Sequence, residues 1–125
     1  MSPTDPATGL PPGHPFDPSW EVTPVGLRDA LAADDPPALL DCRNPGEHAA
    51  ASIDGATLIP MNEIAARLDE LADLKDRTVV VHCHLGGRSL RVTQFLRQQG
   101  FADVKSLAGG IDAWSQSIDP DVPRY

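Results

Sequence analysis

Apolar positions along the chain switch between two periods. Short runs at 38–42 and 78–82, the second led by Val79-Val80-Val81, have the length and composition of strands buried on both faces. Between and after them the apolar residues space out at three and four. Leu27 and Leu31 define one helix face, opened by Thr23-Pro24 as N-cap and first helical residue and ended by Asp34-Asp35-Pro36-Pro37. Ile64, Leu68 and Leu71 line one face of an amphipathic helix over 61–74, with Glu63, Arg67, Asp69 and Glu70 outside. Val92, Phe95 and Leu96 face inward on a third helix that Gly100 closes.

The smaller elements fill the gaps. Short strands are expected at 20–22, at 57–59 before Pro60, and at 101–106 around Val104. Asn44-Pro45-Gly46 reads as a turn before a short alanine-rich helix over 47–51, and Gly110 opens a final helix containing Trp114. Strands alternating with helices predict an α/β domain with a mostly parallel sheet and right-handed crossovers. Residues 1–18, rich in Pro, are expected to form a flexible arm outside the core, leaving 19–125 as the domain.

Composition narrows the function. A chain of 125 residues is one domain's worth, and a net charge of -8 removes the footprint of a nucleic-acid binder, so an anionic substrate must be drawn in by local fields. No apolar run approaches the roughly 20 residues of a membrane span, and the first residues lack the charged-then-apolar order of a secretory signal, so no membrane partner and a cytoplasmic location are expected. Cys42 and Cys83 do not make a disulfide framework. His82, Cys83 and His84, side by side at a strand end, cannot converge on one metal ion, and neither metal nor cofactor is expected.

The candidate chemistry lies where the 78–82 strand ends. Cys83 leads into His84-Leu85-Gly86-Gly87, then Arg88-Ser89 at a helix start. Amides at a helix N-terminus have no intrahelical partner, so this loop is a place for an anion, and the same field together with Arg88 favours the Cys83 thiolate. Gly86 and Gly87 permit the backbone turns that let several N–H groups converge.

At these residues the chain resembles the rhodanese superfamily of sulfurtransferases, whose active-site loop runs from a cysteine at a strand end to an arginine at a helix start. The likeness extends to Leu39-Leu40-Asp41-Cys42-Arg43 with Glu47, to Ile53-Asp54-Gly55-Ala56 and to the Gly109-Gly110…Trp114 element, spanning about residues 20–114. Ala51-Ser52 stands where the family often has Gly-His, and Asp54 where it has proline. The resemblance implies a rhodanese-like three-layer α/β/α domain with a central, mostly parallel five-stranded sheet. It also implies a Cys83 persulfide that carries sulfane sulfur from a donor such as thiosulfate to cyanide, a thiol or a sulfur-carrier protein. His84, Leu85, Gly86, Gly87, Arg88 and Ser89 are then the persulfide- and donor-binding loop.

Within that expectation several roles stay open. Arg88 either lends charge to the departing group or ties the loop to the protein. Asp41 and Arg43 are most simply an ion pair that fixes the loops. Cys42 is either a packed core thiol or a resolving cysteine, and His48 and His82 are expected to have no catalytic duty. Four residues separate Cys83 from Arg88, one fewer than in the superfamily's phosphatases, which disfavours the alternative of a phosphatase or arsenate reductase. A binding or redox-sensing module is the other alternative. A single domain is expected to leave Cys83 rather open, and residues 119–125 are similar to tails on rhodanese domains fused to ubiquitin-like activating enzymes, which hints at a sulfur-carrier partner.

Overall fold

β-Branched residues pack well on a pleated surface, and parallel strands covered on both faces can be apolar throughout. The computed structural model, which describes residues 4–125, puts the Val79-Val80-Val81 run in the middle of such a sheet. Its strands are β1 (Glu21–Val22), β2 (Ala38–Asp41), β3 (Thr57–Leu58), β4 (Thr78–His82) and β5 (Asp103–Leu107). Among the described residues all the pairings are parallel, in the order β1-β5-β4-β2-β3. The helices α1 (Pro24–Leu31), α2 (Pro45–Ala50) and α3 (Gly87–Gln98) lie in the connections that parallel pairing requires, and α4 (Gly110–Ser117) follows the last strand.

Alternation along the strands separates two cores. Leu40, Val79, Val81 and Val104 face α3 through Val92 and Leu96, while Leu39, Val80 and Leu107 face Leu27 of α1 and Ile111 and Trp114 of α4. The sheet is thus the middle of three layers. Both faces are dry, and the carboxyl ends of the strands are left to carry loops, the usual place for a site in such sheets.

Two expectations are corrected. The 61–74 segment buries Ile64 and Leu71 as its spacing predicts, yet it winds as 3-10 turns, Met61–Glu63 and Ala65–Leu74, with a break at Arg67 (φ -114°, ψ 20°). A step of three fits either winding, and the step of four from Ile64 to Leu68 crosses the break at Arg67, so the spacing marks the buried face and not the helix type. Asn44-Pro45-Gly46 is no turn: Pro45 is the first residue of α2, where its missing N–H costs nothing, and Glu47 Oε1 accepts from the Asn44 N–H (3.3 Å). Residues 1–3 of the expected arm lie outside the described residues. Beyond them, the Val25 N–H donates to Thr8 O (3.0 Å) and Leu10, 4% exposed, packs on Ala108 and Ala113. One apolar side chain that covers the start of α4 is enough to seat a polar, Pro-rich stretch.

The start of α4 also shapes the loop after β4. Gly109 and Gly110 both take positive φ (73° and 59°), and the turn they make brings the first amides of α4 onto that loop. Ile111 N–H donates to Cys83 O (2.9 Å) and Asp112 N–H to His84 O (3.1 Å). A Cβ on Gly110 would collide with His84 O and lie 2.7 Å from Cys83 O. Gly110→Ala therefore combines left-handed strain with a backbone clash and is expected to destabilise the protein by about 3 kcal/mol in urea unfolding. An unchanged midpoint would show that the loop is not held this way.

Candidate active site

Cys83 is the first residue past β4, and the loop after it folds back over its own sulfur. Gly86, at φ 114°, turns its N–H onto Cys83 Sγ (3.1 Å) and caps α3. The amides of Gly87, Arg88 and Ser89 open that helix and have no carbonyl within it to meet. Ser89 Oγ approaches the sulfur at 3.4 Å and donates to Gly86 O (3.2 Å), and Ser106 Oγ on β5 lies 2.7 Å from Ser89 Oγ. Cys83 is only 1% exposed, which corrects the expectation of an open thiol. The loop itself, rather than a second domain, encloses the sulfur.

Arg88 takes the tying role. Both its terminal nitrogens bond the Glu47 carboxylate (2.7 and 2.8 Å), so the arginine clamps the start of α3 to α2. The clamp holds the Glu47 carboxyl down at about 2, with the Arg88 hydrogen bonds as the main cause, and raises the Arg88 guanidinium above its ordinary value.

Behind the loop lies a second, buried layer of charge. Arg43, fully buried, forms a two-pronged pair with Asp41 (2.9 and 2.7 Å) and donates to the backbone oxygens of Ala51 (2.5 Å) and Glu47 (3.3 Å) and to Tyr125 Oη (3.0 Å). Burial alone would raise the Asp41 carboxyl, but the hydrogen bonds from Arg43, joined by His82 and His48, together outweigh it and the carboxyl stays low. Asp41 Oδ2 also meets His48 Nδ1 (2.8 Å), so His48 belongs to this network. Parallel register sets His82 opposite Asp41, where burial lowers its imidazole to about 4 and keeps it neutral. Its Nε2 has no hydrogen-bond partner among the described residues. The Asp41–Arg43 pair thus joins the end of β2 to backbone oxygens at both ends of α2.

Tyr125 ties these layers together. Its hydroxyl donates to Glu47 Oε2 (2.7 Å), and its ring stacks on the imidazole of His84 (4.1 Å between centroids, 16° between planes). His84 is therefore turned toward Tyr125, and Leu85, 60% exposed, forms the outer tip of the loop. Cys42 behaves as a core thiol: its Sγ donates to His82 O (3.4 Å), and burial pushes it up to about 12, far from the range of a resolving thiolate. Among the described residues no cluster of His, Cys, Asp and Glu has the makings of a metal site.

Of the residues expected in the loop, the structure brings Gly86 and Ser89 onto the sulfur of Cys83, while Glu47, expected only as a member of a motif, meets Arg88. Sequence reasoning missed Ser106 and Tyr125. Ser106 carried one usable signal, a polar residue on the inward side of a buried strand; Tyr125 carried none, because its partners lie 78 and 82 residues away.

The Glu47–Arg88 clamp has a pH signature. Its carboxyl falls from an ordinary 4.5 to about 2 on folding, so the stability it contributes is fully present above about pH 4.5 and is lost as the pH falls through 2. Glu47→Gln should lower the melting temperature by about 4 °C at pH 7, the effect of on the order of 1 kcal/mol from a partly screened pair. The gap between the two proteins should close as the pH is taken from 4.5 toward 2. A gap independent of pH would assign the loss to packing instead.

Known proteins are similar to this chain over most of its length. The family described as Rhodanese-like domain matches residues 23–117. The chain is 41% identical over 105 residues to the probable adenylyltransferase/sulfurtransferase MoeZ of Mycobacterium tuberculosis, which covers 83% of this chain but only 26% of MoeZ. It is also 38% identical over 96 residues to a sulfurtransferase of Allochromatium vinosum, covering 77% of this chain and 88% of that protein. The crystal structure of a thiosulfate sulfurtransferase from Pseudomonas aeruginosa superposes with a TM-score of 0.70 at 29% identity, over 77% of this chain and 18% of that one. With the five-stranded parallel sheet, the cysteine at the end of its central strand and this match over most of its length, the chain belongs to the rhodanese-like domain family.

Proposed function

We propose that this domain is a sulfurtransferase that carries sulfane sulfur on Cys83. The observation that supports the reading best is the Gly86 N–H aimed at Cys83 Sγ, with Ser89 Oγ at the same atom. Donors fixed before the reaction favour an anionic sulfur without reorganising during it. Relatives of similar length that bear the name sulfurtransferase point the same way.

In the first half-reaction the Cys83 thiolate attacks the outer sulfur of thiosulfate. A new S–S bond forms, the S–S bond of the donor breaks, and sulfite leaves with the bonding pair. Cys83 then holds a persulfide whose terminal sulfur carries the negative charge, within reach of the loop amides from His84 to Ser89. In the second half-reaction a nucleophile attacks that terminal sulfur, and the Cys83 thiolate departs unchanged. Cyanide would leave as thiocyanate and a thiol as a new persulfide. With a sulfur-carrier protein the roles reverse: the terminal persulfide sulfur attacks a C-terminal carbonyl already activated as an acyl adenylate, the adenylate leaves with the bonding pair, and an external thiol reductant then cleaves the acyl disulfide to release the thiocarboxylate and the Cys83 thiolate. Arg88, occupied by Glu47, shapes the loop rather than touching the leaving group.

The acceptor we favour is a sulfur-carrier protein. Support comes from the likeness to MoeZ, of which this chain spans about a quarter, and from Leu85, an exposed apolar tip beside the reacting sulfur. We assign the domain to the cytoplasm, where reducing conditions keep free thiols such as Cys42 and Cys83 reduced. Among the described residues no helix is long and apolar enough to cross a membrane.

Incubation with thiosulfate followed by intact mass measurement should show a gain of one sulfur atom in the wild type and in Cys42→Ser, and none in Cys83→Ser. The charged protein should return to its starting mass on adding cyanide. A gain that persists in Cys83→Ser, or no gain in the wild type, would sink the assignment.

A further inference from the structure

Two serines meet behind Cys83, and the chemistry proposed above assigns a task to only one of them. Ser89 Oγ touches the sulfur; Ser106 Oγ, on the neighbouring strand, touches Ser89 Oγ and no other side chain among the described residues. Both residues are fully buried. We propose that Ser106 is a positioning residue that orients the Ser89 hydroxyl as a hydrogen-bond donor to the anionic sulfur of Cys83; the inference rests on Cys83 being the sulfur carrier.

The count of protons sets the direction of donation. Each hydroxyl has one proton, and the acceptors within reach are Ser89 Oγ, Ser106 Oγ, Gly86 O and Cys83 Sγ. If Ser89 gave its proton to Ser106, the Ser106 proton would have no side-chain acceptor among the described residues at a fully buried position, an arrangement buried polar groups avoid. It would also turn a lone pair of Ser89 toward the sulfur, which suits a thiol and opposes a thiolate. With Ser106 donating to Ser89, every proton has an acceptor. Ser89 is then free to choose between Gly86 O and the sulfur, and a negative charge on the sulfur decides the choice. Hydrogen bonds in series polarise one another, so the first donation strengthens the second.

The strand pairing makes the arrangement rigid. Ser106 sits opposite Val81 on β4 and Glu21 on β1, and its own N–H donates to Trp20 O (2.9 Å). A strand in the interior of a sheet has little freedom to move, so its hydroxyl is a fixed reference for a loop that must accept and release a sulfur atom.

The test tracks alkylation of Cys83 by iodoacetamide from pH 5 to pH 10, read on its own peptide by mass so that Cys42 does not interfere. Ser106→Ala should alkylate about threefold more slowly than the wild type near neutral pH and equally fast at the alkaline plateau, displacing the profile to higher pH. Ser106→Thr, which keeps the hydroxyl, should restore the wild-type profile. Ser89→Ala should show at least as large a displacement, and Ser89→Ala/Ser106→Ala should match Ser89→Ala alone, because the outer serine acts only through the inner one. A Ser106→Ala profile that overlays the wild type, losses that multiply in the double variant, or a Thr variant no better than Ala each overturns the proposal. Alkylation needs no sulfur donor, so a failed sulfur gain would refute the transfer reading while these profiles still decided the role of Ser106.

Discussion

The site depends on two hydrogen bonds that involve no side chain. Ile111 and Asp112, the first turn of α4, donate their amides to the carbonyl oxygens of Cys83 and His84. In a trans peptide the C=O and the following N–H point in opposite directions, so pinning those two carbonyls to α4 sends the amides of His84 and Leu85 the other way. The N-terminus of one helix thereby satisfies the acceptors of the loop, and the donors of the loop, joined by those at the N-terminus of α3, are left for an anion. Only glycine at position 110 allows the backbones to come this close.

Around that backbone frame the charged side chains act as braces. Glu47, on α2, is the shared element: Arg88 reaches it from α3, Tyr125 from the end of the chain, and its own carbonyl accepts from Arg43. Breaking a buried pair such as Asp41–Arg43 from one side strands a charge, which is why such groups fix loops even where they add little net stability. In a chain of net charge -8, cations near the sulfur that are already engaged by carboxylates cannot supply a strong attractive field. The backbone amides of the loop and of the start of α3 remain as donors for an anion.

The fold was legible because burial on two faces leaves continuous apolar runs, and the strand at Thr78–His82 and the helix start at Gly110 stand where the pattern placed them. The turn from the strand end at Cys83 through its glycines to the helix carrying Arg88 was legible because that spacing is local. What escaped were contacts between segments far apart in the chain: the Ser106 hydroxyl beneath Ser89, Tyr125 over His84, and Leu10 on α4. Local periodicity carries no record of such partners. The winding of 61–74 escaped for another reason: a step of three is common to both windings, and the break at Arg67 leaves no mark in the spacing.

The central claim is that the loop is built in advance to hold an anionic sulfur atom beyond Cys83 Sγ. A crystal structure of the protein after exposure to thiosulfate tests it most directly. The account predicts one extra sulfur bonded to Cys83 Sγ, within hydrogen-bond distance of amides between Leu85 and Ser89, with the Ile111 and Asp112 hydrogen bonds to the loop unchanged. Extra density on Cys42, or a persulfide that meets carbonyl oxygens instead of amides, would contradict it.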